Sequence, residues 1–148
     1  FYLGICLGLA PLAAWIAVRG NIHLTPLLLS LIVVLWTAGF DIIYACQDVD
    51  FDREHSLFSI PEYFGVKGAL KISCFVHLCT LCILISLVWV EGLGWISLLG
   101  IVLVAILLWY EHHLIKPGDL SKVNDAFFTI NGYISVLLML TLGIDKLL

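Results

Sequence analysis

Residues 41–61 read DIIYACQDVDFDREHSLFSIP, and this acidic stretch follows directly on an apolar run. If the helix that begins near Pro26 continues through it, steps of three and four residues place five side chains on one stripe: Asp41, Tyr44, Ala45, Asp48 and Asp52. The carboxylates of Asp48 and Asp52 then repel each other, and carboxylates near a membrane core are costly and usually functional. A bound divalent cation offsets the repulsion between the two carboxylates, and Mg²⁺ takes one or two protein carboxylates together with water and substrate phosphate.

A simpler interpretation of Asp48 and Asp52 is an acidic helix end whose charges lie in water, because a D-x-x-x-D spacing alone is a weak pattern. The neighbouring residues favour a binding site instead. Arg53 is adjacent to the pair, and Lys67 and Lys71 follow downstream. Carboxylates, a metal ion and basic side chains together indicate a site for a diphosphate group.

The composition is that of a membrane protein. Of the 148 residues, 62% are hydrophobic and 12% are charged, with a mean hydropathy of +1.11. Ordinary soluble domains carry about twice that charged fraction. The formal net charge is −4, and the sequence has no basic tract that would indicate a nucleic-acid partner. The five cysteines lie in or beside apolar runs, which argues against a secreted disulfide framework.

Five apolar runs are long enough, or nearly so, to cross a membrane as helices. They are residues 1–18, 26–47, 69–90, 93–110 and 126–144. The polar segment 48–68 is too charged to cross, and Pro61 and Gly65 interrupt it, so we expect a cap with short helical pieces. The predicted fold class is all-α, a multi-pass transmembrane helical bundle of about five spans.

The distribution of basic residues predicts the orientation of the bundle. Five spans alternate sides, so the polar segments 48–68 and 111–125 share one face. That face carries five basic residues, Arg53, Lys67, Lys71, Lys116 and Lys122, whereas the other carries Arg19 and Lys146. Because Lys and Arg are enriched on the cytoplasmic side, we expect the aspartates to face the cytoplasm.

Four further sets of residues are open to interpretation. Asn131 lies inside an apolar run, where a polar side chain usually hydrogen-bonds to another helix, although a pocket position near a substrate is the alternative. The sequence Glu111-His112-His113 lacks metal-site spacing and is typical of a polar helix end at the membrane interface. The tryptophans lie mostly near span ends and predict an interfacial belt. Phe127 and Phe128 either line a channel or pack.

The motifs resemble one known family. The string GFDIIYACQDVDFDRE at 39–54, with Ser59-Ile60-Pro61 after it, is similar to the second aspartate-rich motif of the UbiA-type intramembrane prenyltransferases. It most resembles the branch of 4-hydroxybenzoate polyprenyltransferases and their menaquinone-pathway relatives. APLAAWIAVRG at 10–20 resembles that family's fifth helix, and the loop text at 110–124 resembles the same branch.

The resemblance implies that residues 1–148 are the C-terminal part of a single transmembrane prenyltransferase domain, the last five of nine helices. The chain begins with Phe1 in the middle of an apolar run, so we expect it to be cut from a longer protein. The family's first aspartate-rich motif and the missing N-terminal helices would then lie outside it. We expect residues 1–148 alone to transfer no prenyl group.

The implied reaction is Mg²⁺-dependent transfer of a polyprenyl group from polyprenyl diphosphate to an aromatic acid, 4-hydroxybenzoate or a related naphthoate, in quinone biosynthesis. Eight residues are expected to serve it. Asp48 and Asp52 hold the metal; Asp41, Tyr44 and Arg53 are assigned to catalysis; Lys67, Lys71 and Asn131 are assigned to substrate binding. The partners are these two substrates and the lipid bilayer, and the expected location is a bacterial inner membrane.

Three other functions compete with this one. A haem-farnesylating or chlorophyll-type relative is the alternative within the family, but the string YACQD at 44–48 is closer to the quinone branch. A transporter or ion-pathway protein would relay ions along Asp41, Asp48 and Asp52, but it would need charges on several spans. A purely structural membrane subunit leaves the acidic stripe unexplained.

Overall fold

The structure is a computed structural model and describes residues 2–148. Within these residues five helical segments are long and apolar enough to cross a membrane, so the predicted all-α, five-span bundle is confirmed. The described residues form six α-helices: α1 (Tyr2–Arg19), α2 (Leu24–Ala45), α3 (Val49–Glu54), α4 (Ile60–Glu91), α5 (Trp95–Leu114) and α6 (Asn131–Leu147). A 3₁₀ turn, Cys46–Asp48, joins α2 to α3, and a π-helical segment, Asp125–Ile130, precedes α6.

Helix α1 packs on α2 through small residues. Gly4 and Gly8 are its buried positions, although Pro11 lies inside the same helix. A Cβ at Gly4 would lie 2.8 Å from the carbonyl oxygen of Val34, and one at Gly8 would lie 2.8 Å from that of Ser30. Two glycines four residues apart therefore let the two backbones approach closely, as is common between membrane helices.

Polar contacts at one end of the bundle fix the direction of four helices. The hydroxyl of Thr25, at the start of α2, donates to Glu91, at the end of α4. Lys146, near the end of α6, donates to the same carboxylate over 2.6 Å. The backbone N–H of Ser97, at the start of α5, donates to Asp145 over 3.0 Å. The spans therefore alternate as predicted, and both long polar loops lie at the opposite end.

The segment after the aspartates forms the predicted cap. Helix α3 is a short, exposed piece. Ser59 then caps α4, because its hydroxyl accepts from the backbone N–H of Glu62 at 3.2 Å. Gly65 has φ +69° and ψ +163°, outside helical geometry, and a glycine adopts this backbone without strain. The membrane-spanning part of α4 thus begins after a break that separates it from the cap.

An extensive buried cluster of the described residues lies where α2, α5, the π-helical segment and α6 meet. It is an apolar cluster of Ile43, Val104, Leu108, Ile115, Val123, Ala126, Ile130 and Ile134. This cluster holds the C-terminal half of α2 in place, and that half of α2 leads into the aspartate-rich motif.

Candidate active site

The aspartate-rich motif is not one unbroken α-helix. The 3₁₀ turn of Cys46–Asp48 tightens the chain, and Asp48 has φ −99° and ψ +7°. A 3₁₀ turn has fewer residues per turn than an α-helix, so the residues after it are rotated from the predicted stripe. The predicted continuous helix is therefore wrong at this point. Cys46 is buried in a cluster with Ile42 and Ala69, so packing on α4 accompanies the tightening.

Asp48 and Asp52 present carboxylates that the protein itself does not use. Asp48 is exposed and Asp52 is half-buried. Neither forms an ion pair or a side-chain hydrogen bond with any other residue from 2 to 148. Two accessible carboxylates suit Mg²⁺, which keeps several waters and takes the rest of its oxygens from phosphate. Residues 2–148 contain no cluster of three or more His, Cys, Asp or Glu side chains placed for a metal.

The predicted basic residues do not gather at these carboxylates. Arg53 lies 3.6 Å from Asp50, and both side chains are largely exposed. Lys67 and Lys71 are exposed on the first turns of α4 after the break. Each lies two residues from the buried Ala69, which is about 200° around an α-helix, so they point away from the packed face of α4. In the described part of the chain the structure brings neither lysine into an ion pair.

The side chains of Asp41 and Tyr44 lie in different surroundings. Asp41 is half-buried in a cavity of about 270 Å³ beneath the cap, which Tyr2 and Phe58 also line. Tyr44 is 38% exposed. Its ring packs instead on Phe127 of the π-helical segment, with ring centroids 4.6 Å apart.

An aromatic stripe leads from the motif into the bundle. Trp36, Phe40 and Tyr44 follow one another at four-residue steps on α2. Phe40 meets Phe127 edge to face at 5.2 Å and meets Trp36 at 5.9 Å. Trp36 is an exception to the interfacial belt predicted for the tryptophans, because it lies in mid-helix with its indole turned to α6. The sequence analysis did not identify this stripe, although the four-residue spacing of the three aromatic residues was a signal from which it could be found.

The stripe borders an apolar groove of about 460 Å³ between α1, α2 and α6. Its lining includes Leu7, Pro11, Val33, Trp36, Phe40 and Asn131. An elongated apolar chain is the kind of ligand that such a groove fits.

Asn131 joins α6 to α2. Its Oδ1 accepts from the indole N–H of Trp36 at 2.8 Å. Its Nδ2 donates to the carbonyls of Ala126 at 3.3 Å and Phe127 at 3.1 Å, both in the π-helical segment. The predicted interhelical hydrogen bond is confirmed. Both amide hydrogens are thus used within the protein. Contact of Asn131 with a substrate stays a prediction.

A buried polar layer lies beside the stripe, and sequence reasoning missed it. His77 of α4 is 2% exposed, and its Nδ1 lies 3.0 Å from Nε2 of His112 on α5. Glu111 is 0% exposed, and neither of its carboxylate oxygens meets the geometry of a hydrogen bond within residues 2–148, although the side chain of Asn131 lies beside it. The predicted polar helix end lies in the last turn of α5, which ends at Leu114, but packing turns the side chain of Glu111 into the bundle.

The loop after α5 is ordered by its own hydrogen bonds. The backbones of Lys116 and Asp119 bond to each other in a tight turn, at 2.9 and 3.3 Å. The hydroxyl of Ser121 donates to Asp119 at 2.6 Å and its backbone N–H donates at 3.0 Å. These two bonds hold the pKa of Asp119 below its usual value. The loop delivers the chain into the π-helical segment beside the aromatic stripe.

Known proteins are similar to this chain in sequence. A sequence profile described as the UbiA prenyltransferase family matches residues 1–133. The 4-hydroxybenzoate octaprenyltransferase of Citrobacter koseri is 28% identical over 143 residues, which are 97% of this chain and 49% of that protein. The protein of the same name from Nitrosococcus oceani is 26% identical over 136 residues, covering 92% of this chain and 47% of that protein.

One solved structure also matches. The apo structure of a UbiA homolog from Aeropyrum pernix K1 is 34% identical, with a TM-score of 0.69. The match covers 81% of this chain and 42% of that one. The chain thus spans about half the length of the curated relatives it matches.

Proposed function

The chain belongs to the UbiA prenyltransferase family, and on that premise we propose that it forms the C-terminal half of an intramembrane prenyltransferase. The enzyme would transfer a polyprenyl group from its diphosphate to an aromatic acid. The observation that carries the proposal is the position of Asp48 and Asp52. Two accessible carboxylates without protein partners stand at the head of an aromatic stripe, and that stripe leads to an apolar groove.

In this proposal the two ends of the site bind the two ends of the lipid substrate. Asp48 and Asp52 hold Mg²⁺, which when bound neutralises the diphosphate as a leaving group. Arg53, Lys67 and Lys71 bind the diphosphate oxygens once movement of their long side chains, or the other half of the enzyme, brings these cations to the site. The apolar groove takes the prenyl chain and excludes water from the reacting carbon.

The aromatic stripe has a chemical role in this proposal. Departure of the diphosphate leaves positive charge on an allylic carbon, and the face of an aromatic ring attracts a cation. Tyr44 is the ring of the stripe nearest the carboxylates along α2, so it is the first to face that charge. The acceptor ring then attacks the allylic carbon and loses a proton. Asp41, in its separate cavity beneath the cap, is assigned to orienting the acceptor.

The relatives' printed name supports 4-hydroxybenzoate as the acceptor. The test is a transfer assay on the full-length enzyme in lipid, with labelled polyprenyl diphosphate, Mg²⁺, and either 4-hydroxybenzoate or a hydroxynaphthoate. We expect labelled product with 4-hydroxybenzoate and loss of product when the metal is chelated. If product forms with the naphthoate and not with 4-hydroxybenzoate, the enzyme belongs to the menaquinone branch. The absence of product with either acceptor would contradict the proposed function.

A further inference from the structure

We propose that Asn131 is a positioning residue. It holds the rings of Tyr44 and Phe127, the aromatic wall of the site, in place without touching the substrate. The proposal rests on the proposed function and changes the role that the sequence suggests for this residue. Its basis is the set of three hydrogen bonds made by one side chain that is 8% exposed.

The first step concerns the π-helical segment. In a π-helix the backbone hydrogen bonds are shifted by one residue, and such segments are often found at functional sites. The backbone N–H of Asn131 bonds to the carbonyl of Phe128. The side-chain amide of Asn131 donates to the two preceding carbonyls, those of Phe127 and Ala126. The side chain therefore supplies donors to the segment from its C-terminal end.

The second step concerns the direction of Phe127. A carbonyl without a donor inside a membrane bundle is costly, so loss of the amide favours a return to ordinary α-helical bonding. Because a π-helix has more residues per turn than an α-helix, conversion of the segment to an α-helix would rotate the residues before it by about 100° relative to α6. Phe127 would then leave its place against Phe40 and Tyr44, where it now sits at ring distances of 5.2 and 4.6 Å.

The third step concerns the partner helix. The bond of 2.8 Å from Trp36 fixes Asn131 against the same helix that carries Tyr44 and the aspartate-rich motif. One residue therefore sets two relationships, the twist of the π-helical segment and the register of α6 on α2. Tyr44 lies four residues before Asp48 in the chain and Phe127 packs on its ring, so these two rings form the wall that the proposal places beside the carboxylates. The wall faces the carbon that gains positive charge in the proposed reaction.

The experiment compares Asn131→Leu and Trp36→Phe with a matched control, Asn124→Leu. Asn124 lies seven residues earlier and is exposed. We expect Asn131→Leu in the full-length enzyme to lower kcat about 10- to 100-fold, since small misplacements of a reacting group have effects of that size. The KM for polyprenyl diphosphate should change by no more than about twofold. Trp36→Phe should have a smaller effect, and the double variant should lose no more than Asn131→Leu.

A second measurement does not depend on activity. In a protein whose native cysteines are replaced, the pair Tyr44→Cys and Phe127→Cys should cross-link with a short bismaleimide. Asn131→Leu should reduce that yield, and Asn124→Leu should not. If KM rises while kcat is unchanged, Asn131 binds substrate and the proposal is wrong. An unchanged cross-link would also overturn it. If the unaltered enzyme transfers no prenyl group, the proposed function fails, whereas the cross-link still decides whether Asn131 sets the wall.

Discussion

Gly39 of α2 lies directly against the imidazole of His77 on α4, so that a Cβ at position 39 would overlap the ring. The ring has little freedom to move. Its Nδ1 bonds to His112 at 3.0 Å, and its Nε2 lies 3.4 Å from the carbonyl of Trp36. The hydroxyl of Ser73 also donates to the carbonyl of Gly39 at 2.7 Å. The two helices approach this closely because residue 39 has no side chain.

We therefore expect Gly39→Ala to destabilise the bundle by about 1–3 kcal/mol, the usual effect of overpacking a core. The measurement is the thermal midpoint in detergent. Gly143→Ala is the matched control, because a Cβ there meets open space. The double variant Gly39→Ala/His77→Ala should be less destabilised than the sum of its two single variants, because each change relieves the other. A Gly39→Ala protein as stable as the unaltered one would contradict this close packing.

The buried carboxylate of Glu111 gives a second prediction. Burial makes the charged form of a carboxyl group costly, so a neutral group of the same shape should be tolerated there. Glu111→Gln should keep or raise the thermal midpoint. Glu91→Gln should lower it, by about 1 kcal/mol or less, because the bond to the exposed Lys146 loses its charge. A clear loss of stability in Glu111→Gln would mean that this carboxylate has a partner after all.

Substitutions of the three aspartates in the motif should differ in their effect on turnover. We expect Asp48→Asn and Asp52→Asn each to lower Mg²⁺-dependent prenyl transfer by about 100-fold or more, since electrostatic stabilisation of this kind is usually a large part of catalysis. Asp50→Asn should be milder, because that side chain is exposed and pairs with Arg53. Initial rates over a Mg²⁺ titration measure the effect. Equal losses in all three variants would make Asp50 a ligand as well.

Chemical labelling of single cysteines can test the orientation of the bundle in the membrane. Ser56 and Ser121 lie in the two polar loops at the aspartate end, and Asn21 lies at the other end; all three are exposed. Cysteines placed at Ser56 and Ser121 in a cysteine-free, full-length protein should react with a membrane-impermeant maleimide from the cytoplasm. A cysteine at Asn21 should react from outside, because of the bias in Lys and Arg. Reaction of positions 21 and 56 from the same side is incompatible with five spans.

Sequence reasoning predicted the features that depend on local composition. The length and hydropathy of each run predicted the spans, and the structure changes their bounds by only a few residues, except that α4 is joined to the cap helix at Ile60. Pro61 and Gly65 marked the cap because their backbone preferences are intrinsic to the residues. The single amide of Asn131 in an apolar run also predicted its interhelical bond, since a polar group in lipid needs a partner.

Only the tertiary structure decided which face of each helix packs inward. A helix in a bilayer is apolar on its protein side and on its lipid side, so it lacks the polar face that reveals the orientation of a helix in water. Trp36 and Glu111 were therefore placed at the interface by their chemistry, whereas packing of α2, α5 and α6 turns both inward. The 3₁₀ turn at Cys46–Asp48 likewise accompanies burial of Cys46 beside α4, a contact between segments that are distant in sequence. The sequence determined the spans and the acidic motif, and packing between helices decided what surrounds them.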